Sequence, residues 1–318
     1  MTGGVIVTVT LNPALRVAYT AGDVDAEGIS PVSRPGYRAE GRGVTVARLL
    51  RAFGHDVLAS GLAGGTSGAL IREDLAKSGV PTAFTLIRGE SRRILRIAAP
   101  AQAGPVMRFA EPGPYITTEE LGRFAADYRR LLTGAAAVVL CGSLPDGLPT
   151  DIYGSLVTYA AEAAVPVILD AGGEELRHAI SHRPDLVVAE TDSAGAGLGA
   201  ALIELGAGAA AVATGHVVRV VTATGQWSAR IATATADADA PSAVAQAPAR
   251  GALVAGLVPG QLLGWSWPDR LRHALALAGS ASSDASGPAG PDALDRWGHV
   301  DLACYERLLD AVQVDPQV

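Results

Sequence analysis

The chain alternates two hydrophobic rhythms. Val5–Thr10 is an apolar, β-branched run that ends at Asn12-Pro13, which predicts a strand closed by a turn. Short, half-polar strands are expected at Val17–Thr20 and Val32–Tyr37. Val44, Val46, Ala47, Leu50 and Phe53 then recur at helical spacing as far as Gly54, a stop signal. Asp56–Leu62 reads as a strand and Ser67–Ser78 as a helix. Thr82–Ile87, Ile94–Ala98 and Val106–Phe109 read as strands, the last two in Arg-rich surroundings.

From Thr118 the alternation becomes regular. Helices at Thr118–Leu132, Asp151–Ala164, Glu174–Ile180 and Ser193–Leu205 separate strands at Ala136–Leu140, Pro166–Leu169, Asp185–Ala189 and Ala209–Ala213. Thr117 or Thr118 caps the first helix, with acids in its first turn. This spacing predicts an α/β fold, a parallel sheet with helices on both faces. Val217–Ala223 and Trp227–Thr233 predict an antiparallel edge, followed by helices at Ala252–Leu263, Pro268–Ser280 and about Leu302–Val312. Ser282–Gly298 is rich in Ser, Gly, Pro and Asp and reads as a loop. The G-A-G-L-G-A at Gly195–Ala200 lies inside a predicted helix with no strand leading into it, so it is read as helix packing.

Composition narrows the class. The net charge of −7 argues against a general nucleic-acid binder, although a local basic pocket is compatible with it. Half the residues are hydrophobic and few are aromatic, so Ala, Gly and Val must build the core, as suits parallel strands under closely packed helices. Cys141 and Cys304 form neither a disulfide framework nor a metal set. The N-terminus lacks a signal-peptide layout, and no apolar run is long enough to span a membrane. A soluble, cytoplasmic protein with no membrane or nucleic-acid partner is expected.

The stretch that carries candidate chemistry is Ala245–Leu257, A-Q-A-P-A-R-G-A-L-V-A-G-L. It reads as a loop entering a helix N-terminus, where unpaired N–H groups and the helix dipole favour an anion. Pro248 has no N–H to offer, and Arg250 brings its own cation. No carboxylate or hydroxyl stands in the first turn.

Several segments together resemble the PfkB family of carbohydrate kinases, in particular its 1-phosphofructokinase and tagatose-6-phosphate kinase branch. They are Thr10–Leu15 (T-L-N-P-A-L), Gly41–Gly54 (G-R-G-V-T-V-A-R-L-L-R-A-F-G), Gly61–Leu75, Glu111–Pro114 (E-P-G-P), Cys141–Pro149 (C-G-S-L-P-D-G-L-P) and Val254–Leu257. The resemblance implies a ribokinase-like three-layer α/β/α sandwich forming one domain over residues 1–318. A small β-sheet lid over about 16–37 and 92–109 would cover the substrate. It also implies ATP, magnesium and a homodimer paired through the lid.

Carried over residue by residue, the resemblance is uneven. The family's G-A-G-D run, whose backbone holds the migrating phosphoryl and whose Asp is the base, falls on Pro248-Ala249-Arg250-Gly251. A displaced alignment would need Asp237 or Asp239, which lie upstream in a loop. The N-x-x-E that orders magnesium is Glu190 to Ser193, where Glu190 or Asp192 is read as a solvated helix-start acid or a cation ligand. The Gly-rich turn that contacts nucleotide phosphates is Thr214-Gly215-His216-Val217-Val218. Its first Gly is kept and its later one is Val218, while His216 reads as a turn residue. On the sugar side, the hydroxyl-binding Asp is Arg16 and the Asn of the Gly-rich segment is Thr45.

The cations that hold a sugar's phosphate persist in type as Arg42, after Gly41, with Arg92 and Arg96. Arg92 and Arg96 should share one strand face and Arg93 the other. They are read either as an anion pocket or as a solvated basic edge. The substrate-side candidates are thus Arg16, Gly41, Arg42, Thr45, Arg92 and Arg96. On the nucleotide side they are Glu190, Ser193, Thr214, Gly215, Pro248, Ala249, Arg250 and Gly251. No catalytic residue and no metal ligand is assigned. The expectation is a catalytically degenerate homologue that binds a small phosphorylated or anionic metabolite. An active sugar-phosphate kinase with a non-standard base, which would use ATP and Mg2+, and altered chemistry on the same scaffold are its rivals.

Overall fold

A computed structural model describes residues 4–20, 32, 34–98, 107–191, 197–215, 217–231, 247–283, 305, 309 and 311–317. The first half contains β1 (Val5–Thr10), β2 (Ala14–Thr20), β3 (Gly36–Glu40), α1 (Arg42–Ala52), β4 (Val57–Gly64), α2 (Gly65–Lys77) and β5 (Thr82–Ile87). β6 (Arg93–Ala98), β7 (Met107–Ala110), α3 (Thr118–Leu132), β8 (Ala135–Cys141), α4 (Ile152–Glu162), β9 (Val167–Asp170) and α5 (Gly173–Ala179) follow. The remainder is β10 (Leu186–Glu190), α6 (Leu198–Glu204), β11 (Ala209–Thr214), β12 (Val217–Thr222), β13 (Gln226–Ile231), α7 (Ala247–Leu263), α8 (Trp267–Ser283) and β14 (Val312–Gln317).

Ten strands form one sheet in the order β14-β13-β12-β11-β10-β9-β8-β1-β4-β5. Its β11-to-β5 portion is parallel and its β14-to-β11 portion antiparallel. β8 reads A-A-A-V-V-L-C because both of its faces are covered, as a central parallel strand requires. One face packs against Val46, Leu50, Leu253 and Leu277 of α1, α7 and α8. The other packs against Phe124, Tyr128 and Leu156 of α3 and α4. Each such buried side chain contributes about 1.5–3 kcal/mol. α3 opens on a capping box between Thr117 and Glu120. The expected three-layer, ribokinase-like α/β architecture is therefore present. Among the described residues, no helix is long and apolar enough to cross a membrane.

β2, β3, β6 and β7 form a separate four-stranded sheet in the order β3-β2-β6-β7. The strand expected at Val32–Tyr37 lies at Gly36–Glu40, because Pro35 has no N–H for a ladder and pairing begins after it. Three further expectations are corrected. The hairpin β12–β13 is not the sheet's edge, since β14 pairs outside it. The C-terminal helix stops before Val312, where the alternation V-Q-V-D turns extended. Most consequentially, α7 starts at Ala247 rather than Ala252, so Pro248–Gly251 lies inside the helix. Pro is tolerated in a first turn, where no N–H is required, and the Ala-rich sequence favours helix on either side of it. Asp192, Ser193, His216, Asp237, Asp239 and the 284–298 part of the C-terminal loop lie outside the described residues.

Candidate functional site

β1, β8, β9 and β10 end along the carboxyl edge of the parallel sheet, the edge where open α/β folds bind ligands. α1 begins there at Arg42. Its N-cap Gly41 sits at φ 147°, a conformation that favours glycine, and a Cβ would lie 2.9 Å from the Thr10 methyl. The Arg42 side chain reaches Asp170 at the end of β9, with Nη1 3.3 Å from Oδ1.

Asp170 is the centre of this region and is fully buried. Arg250 donates to its Oδ1 from Nε at 2.7 Å and stands 2.6 Å from the same oxygen through Nη2. Arg250 Nη1 donates to Glu190 Oε2 at 3.0 Å, and Nη2 donates to the Val188 carbonyl at 3.2 Å. One guanidinium thus joins α7 to β9 and β10. Burial pushes the Asp170 carboxyl above its ordinary range, while Arg250 and Arg42 pull it back. Asp170 Oδ2 is buried and has no hydrogen-bond partner among the described residues. Cys141, also buried, has its thiol pushed up by burial and by Asp170.

Gly251 lies under Thr45. A Cβ there would come within 2.9 Å of the Thr45 methyl and 3.1 Å of its Cβ. In a helix starting at Ala247, the Gly251 N–H is directed to the Ala247 carbonyl and not outward. Pro248 and Ala249 stand in that first turn. Thr214 and Gly215 close β11, with Gly215 at φ 58° in the turn to β12. The loop expected over Pro248–Gly251 is therefore a helical turn whose cation folds inward.

The other predicted cations gather on the small sheet. Arg16 is buried and pairs with Glu40 at 3.1 Å. Arg92 is half-buried and donates through Nε to the Asn12 carbonyl at 3.3 Å. Burial lowers the basicity of Arg16, Arg92 and Arg96, and in each case Glu40 acts the opposite way. Arg93 pairs with Glu111 at 2.6 Å, away from this group. The predicted residues thus fall into two clusters. Arg42 and Arg250 meet at Asp170, with Glu190 on Arg250 and Gly251 packed against Thr45, while Arg16 pairs with Glu40 and Arg92 and Arg96 lie within its electrostatic influence.

Sequence reasoning missed Asp170 and Glu40. Asp170 carried a faint signal, a lone acid ending the apolar run V-I-L. Glu40 gave none, since only strand pairing sets it beside Arg16.

The fold and this edge define a sugar-kinase-like protein. The chain matches the family described as pfkB family carbohydrate kinase over residues 14–284 and belongs to it. Two tagatose-6-phosphate kinases from strains of Staphylococcus epidermidis are 34% and 33% identical over 175 and 189 residues. Those matches span 55% and 59% of this chain and 56% and 60% of the relatives, so they cover little more than half of either. The tetrameric inhibited form of phosphofructokinase-2 from Escherichia coli superposes with a TM-score of 0.75. It is 21% identical and is covered over 98% of its length by 93% of this chain.

Proposed function

We propose that this PfkB-family chain is catalytically degenerate and binds a small phosphorylated or otherwise anionic metabolite without transferring phosphate. The observation that carries the reading is Arg250, turned onto Asp170 and Glu190 at the start of α7. Gly251 stands where the resemblance puts the base, and a side chain there would press on Thr45.

Magnitudes support this. A positioned general base is worth about 10²–10⁴ in rate and one backbone donor about 10²–10³. Phosphoryl transfer depends almost wholly on positioning and charge stabilisation, so few other devices compensate. The family's cofactors are ATP and magnesium, and the residues at the start of α7 fit them poorly. Pro248 supplies no N–H, and the nearby Asp170 and Glu190 carboxylates are already paired with Arg250. Weak or absent binding of Mg-ATP follows.

On this reading the chain is one domain with the small sheet as its lid, the ligand lies near Arg42, Arg92 and Arg96, and the protein is a cytoplasmic homodimer joined through that lid. Among the described residues β3 and β7 are the outer strands of the small sheet, and outer strands favour such pairing. The test is ADP release from Mg-ATP with tagatose 6-phosphate, fructose 6-phosphate and fructose 1-phosphate. No turnover above background is expected, and robust turnover with any of them overturns the reading.

A second reading, an active kinase with another base, is favoured by the tagatose-6-phosphate kinase relatives. Asp170 is a poor base for it, because the carboxylate is sealed from solvent.

A further inference from the structure

The small sheet is attached to the body of the protein unevenly. Residues directly opposed on adjacent strands share a face. By this register Arg38, Arg16, Arg96 and Arg108 stand on one face across the four strands, and Arg92 joins them by the two-residue alternation. Leu15, Val17 and Ala39 take the other face and are buried in one core cluster with Ile71 and Leu75 of α2. That same face carries Met107 and Phe109 on β7, where both are exposed. The sheet is therefore packed down at β2 and β3, whereas all four residues of β7 are exposed.

At β3 the attachment is polar as well as apolar. The Ala39 N–H donates to Asp74 Oδ2 of α2 at 2.7 Å, and the Ala39 carbonyl accepts from Arg48 Nη1 of α1 at 3.0 Å. Arg48 Nη2 donates to the same Asp74 oxygen, so the two side chains also hold each other. Both backbone groups of Ala39 thus point away from β2. Its opposite number on β2, Leu15, turns its N–H the other way, to the Arg92 carbonyl at 2.9 Å. An ion pair from two helices stands where another strand would lie on the outer edge of β3. Arg48 is buried, which lowers its basicity, and Asp74 opposes that shift. A buried guanidinium held by a carboxylate resists separation from it, so the contact is stiff.

We propose that Arg48 and Asp74 form a clamp that fixes the small sheet along β3, and that the sheet moves against the body by swinging about this strand, with β7 as the travelling edge. Moving elements come from the least buried part of a fold, and in this sheet that part is β7. Gly41 follows β3 directly at φ 147°, so the chain turns into α1 beside the clamp. The device is independent of whether the chain transfers phosphate.

Hydrogen exchange on the full chain at neutral pH, read by mass spectrometry, tests it. In the native protein β7 amides should exchange about tenfold faster than β3 amides, or more. Asp74→Ala should speed exchange throughout β2 and β3 by about tenfold, to the rate of β7, with β1 and β8 unchanged. Those two strands report that the body is folded. Arg48→Lys keeps the charge pair and loses one of the two donors, so it should give the same pattern at about two- to fivefold. It decides the matter if the Asp74→Ala protein does not fold. Exchange of β3 as fast as β7 in the native protein, or a change confined to the Ala39 amide, overturns the clamp and leaves a local bond. Loss of protection in β1 and β8 together with β2 and β3 overturns it too, because the sheet would then have no motion of its own.

Discussion

Arginines in two regions of this protein meet opposite fates. At the start of α7, Arg250 is sealed against Asp170 and Glu190, and its charge is used up inside the protein. On the small sheet, five arginines share a face with one carboxylate of the described strands, Glu40. What separates them is the supply of nearby acid: Asp170 and Glu190 meet Arg250, whereas Glu40 is the one acid of the described small-sheet strands. A cation beside a buried carboxylate becomes a structural brace, whereas strand register sets the cations of the small sheet side by side.

The strongest challenge to this contrast is to remove the buried acid. Asp170→Ala would leave Arg250 and part of Arg42 facing an emptied, buried site, and breaking such a pair from one side costs about 3–5 kcal/mol. Urea unfolding should show that loss, and a cost under about 1 kcal/mol would mean that Arg250 is not a brace. Gly251→Asp ranks next. Its side chain would press on Thr45 at the contacts given above, with a penalty of about 1–3 kcal/mol for overpacking. It should not restore ADP formation from Mg-ATP. Adding Thr45→Ala should recover part of the stability, and unchanged stability in the single variant would refute the close packing.

A comparable effect is expected on the sheet. Glu40→Gln removes the acid beside buried Arg16 and should tighten binding of an anionic sugar a few-fold, at a cost of about 1–3 kcal/mol because the Arg16 charge loses its counter-charge. Weaker binding would place Glu40 among the ligand's own contacts instead.

The smallest effect concerns pH. Hydrogen bonds from the Arg93 side chain, with burial opposing them, hold the Glu111 carboxyl below its ordinary value of 4.5. A lowered acid stabilises the folded state above its unfolded value, and that contribution disappears as pH falls through the folded one. Asp170 has the opposite sign, since burial raises it, so acid removes stability through Glu111 and not through Asp170. Thermal melts from pH 6 down to pH 3 should show a loss that Glu111→Gln reduces. An identical pH profile in that variant would remove the assignment.

Much of the frame was legible in the chain. Val5–Thr10, Thr82–Ile87 and Thr118–Leu132 occupy the expected residues because their patterns are local: a β-branched run, or a capping box before a helical stripe. The family was legible for a related reason, since short segments such as Asn12-Pro13 and Gly41–Gly43 fix backbone turns that few other residues permit. The start of α7 was misjudged because Pro248 suggests a break. In the folded chain Pro248 occupies the one turn that tolerates it, leaving Gly251 within the helix.

The identity of Arg250 and the absence of an acid at Gly251 belong to the sequence alone, and they suffice to question catalysis. Where the Arg250 charge goes was decided only by tertiary structure. Asp170 is 80 residues away in the chain, and the parallel register of β9 and β10 sets it beside Glu190 at one buried edge. The face shared by Arg38, Arg16, Arg96 and Arg108 is likewise a product of pairing between distant strands. Local sequence determines which charges exist. Burial and register, which depend on contacts far apart in the chain, determine which of them are neutralised.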